Sequence, residues 1–96
     1  MIEVRRVGTA GDPLQFEVTV RDGASETRHQ VTMTQETCAS FTAGGKYSPE
    51  QCLEAAFRFL LDREPKESIL KRFDVTVISR YFPDFEHQLP TYLGHA

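Results

Sequence analysis

The chain has 96 residues, of which 40% are hydrophobic and 26% are charged, and its net charge is −3. This length predicts a single domain over residues 1–96, and the composition is typical of a folded protein rather than a disordered one. The mild negative charge disfavours unspecific attraction to nucleic acids or anionic membranes, while a local basic patch stays compatible with it.

The cysteine count and the first residues bear on the cellular compartment. Cys38 and Cys52 are the two cysteines, whereas a disulfide framework in a small secreted domain normally needs about four or more. Glu3, Arg5 and Arg6 interrupt any signal peptide, and no apolar run approaches the ~18 residues of a membrane-spanning helix. We therefore expect a cytoplasmic protein with two free thiols and no membrane contact.

The first third of the chain predicts three antiparallel strands, at residues 2–7, 14–21 and 28–34. The second and third alternate apolar and polar residues, which is typical of strands with one buried face. Asp22-Gly23 indicates a hairpin between them, and the residues that follow suggest a loop longer than two residues. In the third strand we expect the inward side chains to be His29, Val31 and Met33.

The segment 47–61 predicts an amphipathic helix with a well-marked start. Ser48 can cap the helix, Gln51 completes a capping box, and Pro49 stands at the first helical position. The apolar stripe at helical spacing is Leu53, Ala56, Phe57, Leu60 and Leu61.

A second group of small and apolar residues, Cys52, Ala55 and Phe59, widens this stripe on one flank. One sheet face cannot cover so broad an arc. We expect the flank to be covered by later helices of this chain, by a twin subunit or by a partner protein.

The remaining residues predict shorter elements. Pro65 can open a short helix carrying Ile69, Leu70 and Phe73, and Asp74 can cap a further one. Over residues 74–82, the residue types favour a strand, whereas the spacing of the apolar residues favours a helix. We predict a helix that ends before Pro83. Residues 85–93 show no clear period. The fold class is therefore α+β: an antiparallel three-stranded sheet (residues ~1–34) followed by two or three helices packed on one face.

No motif for catalysis, a cofactor or a metal ion emerges. Residues 44–48 are similar to a phosphate loop, but the pattern lacks its glycine at Ser40 and its hydroxyl residue at Tyr47. The cysteines and histidines lack the spacings of zinc ligands. Cys52 at the helix start fits packing better than nucleophilic catalysis. We therefore predict a protein that is not an enzyme and holds no cofactor; a small enzyme stays the second alternative.

Two stretches of the chain stand out as familiar: E-A-A-F-R-F-L-L-D-R-E-P-K-E-S-I-L at 54–70 and R-Y-F-P-D-F at 80–85. They resemble a small bacterial protein family of unknown function. From residue 54 to residue 85 the resemblance spans about a third of the chain. It implies a stand-alone bacterial domain and no particular activity.

The functional hypothesis is protein–protein binding, with an unknown partner or as a homodimer, since aromatic side chains are favoured interface anchors. The candidate interface consists of Phe59, Tyr81, Phe82, Phe85, Tyr92 and Leu93. The alternative is a nucleic-acid-binding or regulatory domain that uses basic residues between 58 and 80, namely Lys71, Arg72 and Arg80, in a stretch similar to a helix-turn-helix. Interleaved acidic residues favour a solvated surface there, so nucleic acid is not the expected partner.

Overall fold

A computed structural model of the chain describes residues 1–8, 11–41 and 46–93. Within these residues the elements, in chain order, are β1 (Ile2–Val7), β2 (Leu14–Asp22), β3 (Ser25–Met33), α1 (Gln35–Phe41), α2 (Pro49–Leu61), a 3₁₀ turn (Lys66–Ser68), β4 (Arg72–Asp74), α3 (Thr76–Tyr81) and α4 (Phe85–Leu93). The expected α+β class is confirmed, with helices packed on a mostly antiparallel sheet of four strands rather than three.

The first three strands pair in chain order, and alternate side chains of β2 and β3 enter the core. His29, Val31 and Met33 are all buried, as their alternation predicts. Asp22 pairs directly with Ser25, so the expectation of a longer hairpin loop is wrong. Gly23 has a φ of 63°, a conformation that glycine adopts without steric cost and that a tight hairpin requires.

The fourth strand replaces the short helix that was expected to carry Ile69, Leu70 and Phe73. β4 runs parallel to β3, while the 3₁₀ turn takes up only Lys66–Ser68. The Gln30 amide donates to the Lys71 carbonyl at 2.7 Å, and the Val75 amide donates to the Thr32 carbonyl at 2.9 Å. An isolated short helix is marginal in water. The open edge of β3 supplies backbone partners that sequence periodicity cannot reveal.

Helices α2 and α3 both form where the sequence predicts them. The Ser48 hydroxyl accepts from the Gln51 amide at 3.0 Å, and the Gln51 side chain accepts from the Ser48 amide at 2.7 Å, which confirms the capping box of α2. Helix α3 confirms the helical choice for residues 74–82, although it begins at Thr76. There the Asp74 carboxylate accepts from the Thr76 amide at 3.0 Å. The helix ends before Pro83, as expected.

Two helices form where no element was predicted. Helix α1 begins beside Thr34, whose hydroxyl accepts from the Thr37 amide at 3.1 Å, and it ends at the half-buried Phe41. Helix α4 buries three residues at four-residue spacing, Phe85, Leu89 and Leu93. This spacing is a helical signal, which the proline inside the segment obscured.

Helix α4 covers the flank of α2 that seemed to need a partner. The Phe59 ring lies 5.1 Å from the Phe85 ring and 5.8 Å from the Tyr92 ring, centroid to centroid. Cys52 and Ala55 are buried beside it. The broad apolar arc is therefore filled within one chain.

A candidate binding groove

An apolar groove of about 280 Å³ opens between the end of α2, the segment before β4 and helix α3. Its lining residues are Leu60, Glu64, Ser68, Ile69, Leu70, Phe73, Val77, Ile78, Tyr81 and Phe82. Four of these form a buried floor: Leu60, Ile69, Phe73 and Ile78. Nine of the ten lining residues are uncharged, so an occupant of this groove must be largely apolar.

The rim of the groove exposes two large apolar side chains. Leu70 is 47% exposed and Tyr81 is 68% exposed. Among the described residues the other exposed large hydrophobics are Met1, just before β1, and Val7, at its end. In the groove, two exposed apolar side chains stand beside a floor of four buried ones.

Buried polar contacts hold the chain on which Leu70 stands. The Lys66 ammonium is buried and lies 2.7 Å from a Glu67 carboxylate oxygen and 3.9 Å from one of Asp22, which ties the 3₁₀ turn to the β2–β3 hairpin. His29 Nδ1 lies 2.7 Å from the Leu70 carbonyl oxygen. These contacts fix the backbone while the Leu70 side chain faces outward.

His29 is held as the neutral Nδ1–H tautomer. A carbonyl oxygen only accepts, so Nδ1 donates to Leu70, and Nε2 accepts from the Thr27 hydroxyl at 2.9 Å. Burial lowers the pKa of His29, and the nearby positive charge of Lys71 lowers it further, while the hydrogen bond to Leu70 opposes them. The charged imidazolium is thus disfavoured in the folded protein.

We expect this histidine to make stability depend on pH. Because its folded pKa lies below its unfolded value of about 6.5, the unfolded chain takes up the proton first, so the free energy of unfolding falls as pH drops below about 6.5. Urea unfolding from neutral pH to about pH 5 measures this fall. His29→Asn, which keeps a donor near Leu70, should flatten the dependence. His87→Asn, at an exposed position, should not; equal slopes in all three proteins would contradict the assignment.

The six candidate interface residues separate into three groups. Phe59, Phe85 and Leu93 are buried in the core, so they offer no surface to a partner in this conformation. Tyr92 is half-buried and its hydroxyl donates to the Asp62 carboxylate beside α2. Tyr81 and Phe82 line the groove. Of the six residues, Tyr81 and Phe82 thus contribute to the groove, and the interface itself stays a prediction.

The basic residues of the nucleic-acid alternative lie on three different elements of the chain. Lys71 stands in the bend before β4, and Arg72 is the first residue of β4. Arg72 lines a shallow depression on the outer face, where Arg5 pairs with Glu17 at 3.0 Å. Arg80 lies on α3 near Asp74. Burial raises the pKa of Asp74, but hydrogen bonds from Thr76 and Thr32 and, least, the charge of Arg80 lower it below its ordinary value. Residues 72–74 form β4, so this stretch is not a helix-turn-helix.

The two cysteines are free and poorly suited to nucleophilic chemistry. Burial raises the pKa of Cys52 to about 11, and its thiol donates to the Phe41 carbonyl at 3.3 Å. Burial also raises the pKa of Cys38. Over residues 1–8, 11–41 and 46–93, no group of three or more His, Cys, Asp or Glu side chains could hold a metal ion.

No family model, curated protein or solved structure matches this chain. Within the described part of the chain, no helix combines the length and the apolar character needed to cross a membrane. The functional argument therefore depends on the geometry of the groove.

The sequence alone does not point to Leu70 and Glu64 as groove residues. Its pattern predicts Leu70 on a short helix with Ile69 and Phe73, and it gives no signal for Glu64. Leu70 gives no local signal of its exposure, because that exposure results from the 3₁₀ turn and from the pairing of β4 with β3. Tyr81 and Phe82 belong to the predicted interface because aromatic side chains are favoured interface anchors, and both line the groove.

Proposed function

We propose that this protein is a non-catalytic protein-binding module that holds an apolar segment of a partner protein in its groove. The observation that carries the proposal is the exposure of Leu70 and Tyr81 on the rim of one groove with a buried apolar floor. Exposed apolar surface that is concave and contiguous is characteristic of binding sites, whereas scattered exposed residues are ordinary.

The energetics favour an apolar occupant. Fully burying a large apolar side chain contributes about 1.5–3 kcal/mol, and the partner's own apolar side chains gain in the same way. Tyr81 supplies an aromatic ring, the type of residue that often dominates binding energy. Phe82 is half-buried and packs edge-to-face on the Phe59 ring at 5.7 Å, which ties one wall of the groove to the core.

The rest of the surface supports binding of protein rather than nucleic acid. On the outer sheet face Arg21 pairs with both Glu3 and Glu26 at 2.8 Å, and Arg28 pairs with Glu26 at 3.1 Å. Alternating paired charges give no continuous basic stripe for a phosphate backbone. The proposal places the protein in the cytoplasm, where free thiols persist.

A phage-displayed library of random peptides, selected on the full chain, tests this function. We expect the selected peptides to bind about tenfold more weakly to Leu70→Ser and to Tyr81→Ser, because each change removes apolar contact area. Val7→Ser is the matched control, since Val7 is also an exposed apolar residue but lies outside the groove. It should bind the peptides like the parent.

Three results would contradict the proposal. Peptides that bind the Leu70→Ser and Tyr81→Ser proteins as well as the parent would place binding elsewhere. Failure to select any peptide from the library would mean that the protein is not a peptide-binding module. Tight binding of nucleic acid that weakens steeply with salt would instead favour the alternative, because phosphate neutralisation releases counterions.

A further inference from the structure

One charged side chain lines the groove, and within the described residues it has no partner. Glu64 is half-buried, and no side chain described in residues 1–8, 11–41 or 46–93 donates a hydrogen bond to it or pairs with it. Neighbouring carboxylates differ in this respect. Glu54 pairs with Arg58 at 2.6 Å and Glu67 pairs with Lys66 at 2.7 Å.

An occupant of the groove would change the surroundings of this carboxylate. While the groove is open, water solvates Glu64. An apolar segment that fills the groove removes that water, and a desolvated, unpaired carboxylate is strongly unfavourable. A cation on the occupant offsets this cost with a charge-assisted hydrogen bond. A neutral segment leaves the desolvation cost of Glu64 uncompensated, and an acidic segment increases it. Glu64 therefore favours a basic occupant and disfavours an acidic one.

Resting on the proposed function, we propose that the groove binds a short protein segment in which a lysine or arginine accompanies the apolar anchors, and that Glu64 pairs with this cation. The groove volume of about 280 Å³ suits a few side chains of a linear segment. Two folded proteins, by contrast, normally meet over a broad face of about 800 Å² per partner rather than in one small groove. The exposed Tyr81 ring can also cover the aliphatic stem of the basic residue.

Two basic residues near the rim would give the opposite charge preference if they, rather than Glu64, dominated recognition. Lys71 and Arg80 follow and precede the rim residues Leu70 and Tyr81 in the chain, but neither lines the groove. If they dominated recognition, acidic peptides would bind best. The groove lining predicts the opposite order, so the charge preference of the occupant distinguishes the two sources of specificity.

Matched synthetic peptides test the inference on the full-length chain. Each set shares the same leucine and phenylalanine anchors and carries lysine, glutamine or glutamate at one other position. By fluorescence anisotropy we expect the best lysine peptide to bind about fivefold more tightly than its glutamine twin, with the glutamate twin weakest. Glu64→Gln should abolish the preference for lysine, and Glu64→Lys should reverse it.

The controls separate this inference from the proposed function. Glu54→Gln removes a carboxylate of α2 that lies outside the groove lining, and it should keep the preference for lysine. Peptides that need Leu70 and Tyr81 but show no preference for lysine, or keep it in Glu64→Gln, would overturn the inference and leave the function standing. If no peptide depended on Leu70 and Tyr81, the function itself would fail. A dimer that dissociates in Tyr81→Ser would make a second copy the occupant, which would also overturn the inference.

Discussion

Phe57→Ala should unfold the protein or bring it to the edge of unfolding. The Phe57 side chain is 0% exposed and packs its ring 5.3 Å from the His29 ring and 6.1 Å from the Phe73 ring, centroid to centroid. It thus joins α2 to both β3 and β4. Truncating a buried phenylalanine costs about 3–5 kcal/mol, which is a large share of the ~5–15 kcal/mol that stabilises a typical domain.

Thermal and urea unfolding of the variant measure this loss. Tyr81→Ala is the matched control, because it removes an aromatic ring of similar size at a position that is 68% exposed. Its unfolding midpoint should stay close to that of the parent. If Phe57→Ala melted with the parent, the packing of α2 against the sheet would be wrong.

Removal of residues 84–96 should destabilise the protein and promote aggregation. The deletion removes the buried side chains of Phe85, Leu89 and Leu93, each contributing about 1.5–3 kcal/mol. It also exposes Phe59, whose ring packs against α4 and carries the Arg63 guanidinium 3.6 Å above it. A large apolar patch on a small monomer favours self-association.

Light scattering and a thermal melt of the truncated chain separate the outcomes. As a matched pair within α4, Phe85→Ala should reproduce much of the destabilisation, and His87→Ala, on the exposed side of the helix, should not. A truncated chain that stays monomeric and melts like the parent would mean that α4 does not cover α2. In that case the flank of α2 would again be available to a partner.

Aromatic residues that are close in the sequence divide between the groove and the core. Phe82 and Phe85 are three positions apart, yet Phe85 is buried beneath α1 and α2 while Phe82 lines the groove. Variants of Phe85 therefore report on stability, and variants of Tyr81 report on binding. Substitutions at Phe82 should affect both, because its ring also contacts Phe59.

The sequence by itself determined the elements that local physics can specify. Helix α2 follows from its capping box and apolar spacing, which act within a few residues of each other. Strands β2 and β3 follow from alternation, which sets the face each side chain occupies. Helix α3 begins shortly after Asp74 and ends before Pro83, because both residues act on the backbone close to them.

Only the tertiary structure decided β4, the role of α4 and the groove. Residues 72–74 form a strand because β3 offers unpaired backbone groups, although the two segments lie about forty residues apart in the chain. Helix α4 tolerates its proline because that residue is exposed while Phe85, Leu89 and Leu93 fill the flank of α2. Leu70 and Glu64 line one groove together with residues of β4 and α3. No local pattern encodes a distance between segments, so the groove could be found only in the folded chain.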